Sequence, residues 1–417
     1  MLKQVMWAAC MAAVLSSAAA TAEETKIDAS RGGVTIQSGD NSLTFGARAQ
    51  FRYTADDREE FDADIVGPGA GVEDGLSQQF AVQRMRLSFK GGVWKPWLKY
   101  EFQFELSNTD GAKDNKVKDA VIEIVKTEKA VLKMGQFKTP FSLQDLTSSG
   151  RQQFVDRAIT NKKFAPGRDQ GVQIGGLFAE KKFGYAAGVF NGSGESQVQD
   201  DKGMMWVARA WFDPLGEYKL HESAFDNPEK NVLHFGLGMR TGEAHRGLAV
   251  TGAFDDPDNE TAYNLELAWR YRRFFATGEA FMMSNEVTAA VLDPNGAPTG
   301  SFQSAPDLDS SGWHAQGGVF LKPKTIEVGL RYAEIDLNDD GNDDKITESR
   351  FVFGYYFTGH NLKLQADAGQ IVFEKNVAAN SLLAARNLPA LDITRRLSGL
   401  GREYTDLQYR IQMQVSF

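Results

Sequence analysis

Apolar and polar residues change places at every second position over long stretches of this chain. At the C-terminal end Leu407, Tyr409, Ile411, Met413, Val415 and Phe417 share one parity, and Gln408, Arg410, Gln412, Gln414 and Ser416 share the other. A period of two puts all the apolar side chains on one face of a strand and all the polar ones on the opposite face. The pattern returns at Leu43 to Tyr53, Leu98 to Leu106, Tyr263 to Tyr271, Ile326 to Tyr332, Phe351 to Phe357 and Leu362 to Ala368. Roughly 16 such segments of about ten residues are present, the length that a tilted strand needs to cross a bilayer. A soluble β-sandwich also alternates, but its strands run to about five or six residues. The expected fold is all-β, a transmembrane antiparallel β-barrel of about 16 strands with lipid outside and water inside.

The links between segments alternate in length. Short ones lie at Gly91 to Pro96, Lys126 to Ala130, Glu180 to Phe183, Arg272 to Arg273, Lys322 to Lys324 and Thr358 to Asn361. Long polar ones lie at Ala55 to Gln78, Lys138 to Gly167, Gly242 to Glu260, Met283 to Gly312, Glu334 to Glu348 and Phe373 to Glu403. Barrels have tight periplasmic turns and longer outer loops, so this rhythm assigns the sides. Asp213 to Asn231 breaks it, being long where a periplasmic turn is due.

Residues 1–22 read as a signal peptide: Lys3, an apolar run from Val5 to Leu15, then small residues up to Ala22. Residues 23–42 are expected to form a short periplasmic lead-in and 43–417 the barrel. A lipoprotein reading of Cys10 leaves too little apolar run before the cysteine. With cleavage after Ala22 the remaining chain has no cysteine, so neither disulfides nor thiolate-bound metal close the fold. The formal charge of −9 becomes −10 once Lys3 is removed, which argues against a nucleic-acid partner. These features point to export to the outer membrane of a Gram-negative cell, among lipid and lipopolysaccharide.

Strand parity turns Arg48, Arg52, Arg84, Arg86, Lys99, Arg270, Arg331, Lys363 and Arg410 inward, together with Glu101, Glu105, Glu123, Glu266, Glu327 and Asp367. The mixed wall does not decide selectivity. The third outer loop is more basic: Lys138, Arg151, Arg157, Lys162, Lys163 and Arg168 stand against Asp145 and Asp156, a local charge of +4. Folded into the lumen, it would form a constriction that concentrates anions. Alternatively, those bases pair with the acidic wall and only hold the loop down. On the first reading, loss of Lys138 weakens the preference for anions.

The stretch Gly135-Gln136-Phe137-Lys138-Thr139-Pro140-Phe141, followed by Gln144 to Asp156 and by Gly167-Arg168-Asp169-Gln170-Gly171, resembles the phosphate-selective porin O and P family. Tyr185 to Gly194 and Val207 to Gly216 extend the likeness over most of the chain. The resemblance implies a 16-stranded barrel, usually a homotrimer, with an arginine ladder and a lysine cluster that guide phosphate or similar oxyanions. Lys138, Arg84 and Arg86 are the positions it carries over. Gln83 departs from the pattern, where another arginine is expected, and only Arg240 and Arg246 lie around the fifth outer loop. The expected function is an outer-membrane diffusion channel for small anions. The alternatives are a general or weakly selective porin and a non-conducting structural or adhesive barrel.

Asp336, Asn338, Asp340, Gly341 and Asn342 follow the opening of a calcium loop, but position twelve is Thr347 and Glu348 falls one residue late. A solvated acidic loop accounts for the same residues. The histidines show no metal-ligand spacing, and no hydrolase or nucleotide-loop motif occurs, so neither a cofactor nor catalysis is expected.

Overall fold

The computed structural model describes residues 25–29, 33–58, 75–107, 117–197, 203–226, 229–242, 259–292, 298–377 and 403–417; the proposed signal peptide lies outside them. Strands β1 (Lys26–Asp28) and β2 (Val34–Ser38) form a hairpin in the expected lead-in. The wall follows as β3 (Asn41–Arg58), β4 (Gly75–Gly92), β5 (Leu98–Glu105), β6 (Val117–Thr127), β7 (Ala130–Lys138), β8 (Arg168–Phe178), β9 (Phe183–Phe190) and β10 (Met205–Phe212). It continues as β11 (Val232–Gly242), β12 (Glu260–Tyr271), β13 (Phe274–Leu292), β14 (Pro298–Lys322), β15 (Ile326–Asp336), β16 (Lys345–Thr358), β17 (Leu362–Phe373) and β18 (Tyr404–Ser416).

Each wall strand pairs antiparallel with the next, and β18 pairs with β3, so the sixteen strands β3 to β18 close a barrel. Closure leaves no open edge, which a hydrocarbon environment requires of backbone N–H and C=O groups. At the seam β18 covers Arg48 to Arg58 of β3 while β2 covers Asn41 to Phe45. The terminal Phe417 bridges the junction through two backbone hydrogen bonds with Ala47, of 2.9 and 3.0 Å.

The two faces of the wall differ as alternation requires. Leu265 and Leu330 are 56% and 67% exposed on the outside, whereas their neighbours Glu266 and Arg331 are 0% and 3% exposed inside. Among several register shifts in the wall, one in β4 changes the parity of its inward charges. Gln50 faces Arg84 but Phe51 faces Val82, so Gln83 is an extra, bulged residue. The bulge turns Phe80 and Val82 outward and Arg84 inward although all three are even-numbered.

Two further departures concern links. The long outer link expected at Met283 to Gly312 is largely strand, because β13 and β14 stay paired as far as Leu292 and Pro298. Continued pairing satisfies backbone groups that a polar loop would leave to water. The link Asp213 to Asn231 turns back into the barrel, as described below. Among the described residues no helix is long and apolar enough to cross a membrane.

Candidate functional site: the third loop and its anchors

Between β7 and β8 the third loop carries two short helices, α1 (Leu143–Leu146) and α2 (Ile159–Phe164). Its hydrogen bonds run to strands on the far side of the barrel, so it crosses the lumen. Four carboxylates receive its backbone. Glu279 of β13 accepts from Leu143 N and Gln144 N at 3.0 and 2.7 Å. Glu348 of β16 accepts from Ile159 N at 3.1 Å, and Asp367 of β17 from Val155 N at 3.1 Å. Glu222, from the long periplasmic link, accepts from Gln153 N at 2.8 Å. Lys363 and Gln365 of β17 donate in return to the carbonyl of Gln152, at 3.0 and 3.1 Å. A buried backbone group without a partner costs about 1–3 kcal/mol, so these contacts hold the loop in one position.

The bases named from sequence divide by what they touch. Lys138 donates to the carbonyls of Asp145, Leu146 and Thr147, and Arg157 donates to those of Gln144, Asp145 and Thr147. Together they cap the C-terminal end of α1, where a helix dipole favours positive charge. Arg168 grips Asp119 with two bonds of 3.0 and 2.9 Å, and Arg86 holds Glu105 at 2.7 Å. Arg48 reaches the hydroxyls of Ser148 and Ser149. Lys163 is buried in α2. Arg151 is exposed and Lys162 half-buried, and neither side chain is hydrogen-bonded or ion-paired to a described residue. Gly135, at the head of the family-like motif, has φ +120°, and any side chain there would run into the carbonyl of Ala120.

A continuous chain of charges follows the wall from β15 to β4. Arg331 and Arg350 both meet Glu348 at 2.8 Å, and Arg350 and Arg410 meet Asp367 at 3.0 and 2.7 Å. Arg410, Arg52 and Arg84 then converge on Asp156 of the loop at 3.4, 2.7 and 3.1 Å. Five guanidinium groups thus share three carboxylates, and the row carries an excess of positive charge. Burial alone would raise the Asp156 carboxyl, but Arg52, Arg84 and Arg410 outweigh it and hold the group well below the usual carboxylate range.

Asp336 faces Lys345 at 3.6 Å, Asn338 accepts from Asp340 N, and Glu348 points inward to its arginines. Among the described residues no three acidic, histidine or cysteine side chains are grouped to hold a metal ion.

The periplasmic link contributes what parity could not reveal. Arg270 of β12 lies over the Tyr218 ring at 4.3 Å and donates to the Lys219 carbonyl at 3.2 Å. Ser223 donates to Glu327 at 2.9 Å, while Phe225 packs edge-on against Phe320 and Tyr356. Glu222 N bonds to the Arg151 carbonyl at 3.2 Å, so the link and the third loop meet inside the barrel. Burial, and then Arg270, push His221 down from 6.5 to about 4, against the opposing pull of Asp226. Its folded value lies below its unfolded one, so the stability it contributes is complete above 6.5 and declines as pH falls towards 4. Acidifying the periplasmic side across that window is therefore expected to loosen the link. Open-channel noise that rises on this side alone, and does not rise in His221→Gln, is the check.

A closed strand cylinder, lipid-facing outside and charged within, crossed by an inward loop, defines an outer-membrane pore of the porin class. The family model for phosphate-selective porin O and P matches residues 33–386, and the chain belongs to that family. A search of curated protein sequences returns no match. Among solved structures the fold is similar to in-vitro folded OmpT, an outer membrane protein of Vibrio cholerae, at 12% identity and TM-score 0.52, over 92% of this chain and 99% of that one. It is likewise similar to Salmonella typhi OmpF in complex with daunomycin (10% identity, TM-score 0.52, 92% and 100% covered). A third is the outer membrane channel DcaP of Acinetobacter baumannii (12% identity, TM-score 0.50, 90% and 97% covered).

Proposed function

We propose that this porin is a diffusion channel for small anions, phosphate or related oxyanions among them. One observation carries the reading. Four wall and link carboxylates, Glu279, Glu348, Asp367 and Glu222, receive backbone N–H groups of the third loop, while the Arg151 and Lys162 side chains have no hydrogen-bond or ion-pair partner among the described residues. A narrow path with excess positive charge raises the local anion concentration and opposes cations. The family description supports phosphate as a permeant, and a trimeric form is known for OmpT of Vibrio cholerae, which supports a homotrimer here.

Reversal potentials in a KCl gradient across a planar bilayer test the reading, and a cation-selective sign would end it. Arg151→Ala and Lys162→Ala are expected to lower the anion-to-cation permeability ratio more than Lys138→Ala does, because the Lys138 ammonium is already held by carbonyl oxygens. Equal effects of all three would locate the selectivity elsewhere. A second reading, a weakly selective pore, is favoured by the arginine row itself, whose members are each ion-paired. It predicts a permeability ratio near one. A non-conducting barrel predicts no current steps even at high protein loading.

A further inference from the structure

We propose that Asp156 is a tethered occupant of a carboxylate-binding site in the pore, and that permeating small carboxylate anions exchange with it on Arg52, Arg84 and Arg410. The site is built by the wall. Arg52 and Arg84 come from the adjacent strands β3 and β4, and Arg410 comes from β18 on the other side of the barrel seam. Both oxygens of the Asp156 carboxylate are engaged: Oδ2 by Arg52 at 2.7 Å and by Arg410 at 3.4 Å, and Oδ1 by Arg84 at 3.1 Å. The guanidinium groups are themselves oriented from behind. Gln412 accepts from Arg52 at 2.9 Å, Gln50 from Arg84 at 3.1 Å, and Asp367 from Arg410 at 2.7 and 2.8 Å. Three preoriented guanidiniums around one planar carboxylate form a receptor for that group, since the fork of N–H donors matches its two oxygens.

Exchange asks little of the fold. The loop backbone is clamped on both sides of the side chain, by Asp367 on Val155 N and by Arg331 on the Asp156 carbonyl at 2.8 Å. Rotation of Asp156 about its own Cα–Cβ bond therefore frees the arginines without moving the loop. The Asp156 side chain keeps 15% of its surface exposed. Intramolecular occupancy also suits a channel. A competitor held in place keeps an arriving anion from binding too tightly to leave, which conduction requires. Lys162, within electrostatic reach of Asp156, offers a second cation to the displaced carboxylate.

The inference rests on the reading of an anion path, and the two fail separately. The full mature chain is refolded into planar bilayers as wild type, Asp156→Ala and Asp156→Asn, and the chloride current is titrated with acetate and, in parallel, with inorganic phosphate. Asp156→Ala leaves the three guanidiniums around a carboxylate-sized space. Acetate is expected to block it at a concentration about tenfold lower than wild type, a change worth about 1.4 kcal/mol. Asp156→Asn is expected to shift in the same direction by less, and adding Arg52→Gln to Asp156→Ala is expected to restore wild-type block. Identical half-blocking concentrations in wild type and both variants would overturn the inference, leaving an anion-selective wild type untouched. An equal gain for phosphate would overturn the assignment to carboxylates, because it reports added charge and not a shaped site. A cation-selective wild type would remove the anion path and the exchange with it. If Asp156→Ala does not refold, as judged by heat-modifiable migration on gels, Asp156→Asn decides between the same outcomes.

Discussion

Replacing Glu279 with alanine is expected to release the first half of the third loop, widen the pore and cost about 2–6 kcal/mol of stability, the sum for two stranded backbone groups. Glu279 accepts from Leu143 N and Gln144 N and also from the Asn264 side chain at 3.2 Å, all buried. Its removal leaves α1 held at its end by Lys138 and Arg157 and through the Gln144 side chain by Glu222 and Gln316. Single-channel conductance should rise and become noisier, while Glu279→Gln, which keeps one acceptor oxygen, should fall between. Conductance unchanged in Glu279→Ala would mean that the loop does not limit the current, and the site described here would lose its central element.

Charge placed on the outer face should also be costly. Leu265 lies on β12 opposite Leu237 and Ala280, and its side chain points away from the lumen. Leu265→Arg is expected to lose about 2–4 kcal/mol if this position is near the bilayer midplane, whereas Leu265→Ala should lose far less. Urea unfolding of the protein folded into lipid vesicles measures both. An arginine tolerated there as well as alanine would show that this face does not meet hydrocarbon. The contrast with Arg270 is instructive. It lies five residues along the same strand on the opposite parity, and is fully buried against the periplasmic link.

Much of the wall could be read from the chain because a strand announces itself locally. Residues 407–417 show their two faces without reference to any other segment. The short links at Arg272 to Arg273 and Lys322 to Lys324 are likewise turns in the barrel. Parity found most of the inward charges, including Arg52, Arg331 and Arg410. It could not foresee the bulge at Gln83, since one extra residue exchanges the faces without changing the composition of the strand.

Which charges meet was decided only by closure. Asp156 and Arg410 are 254 residues apart and come within 3.4 Å because β18 returns to β3. The basic character of the third loop is plain in its composition, but Lys138 and Arg157 turn out to serve its own carbonyls while Asp156 takes the arginines of the wall. The same holds for Asp213 to Asn231, whose length was visible and whose place inside the barrel was not. Alternation along a strand is a property of neighbours and survives in one dimension. The partner of a buried charge is set by which distant strands the cylinder brings together, and that exists only in three.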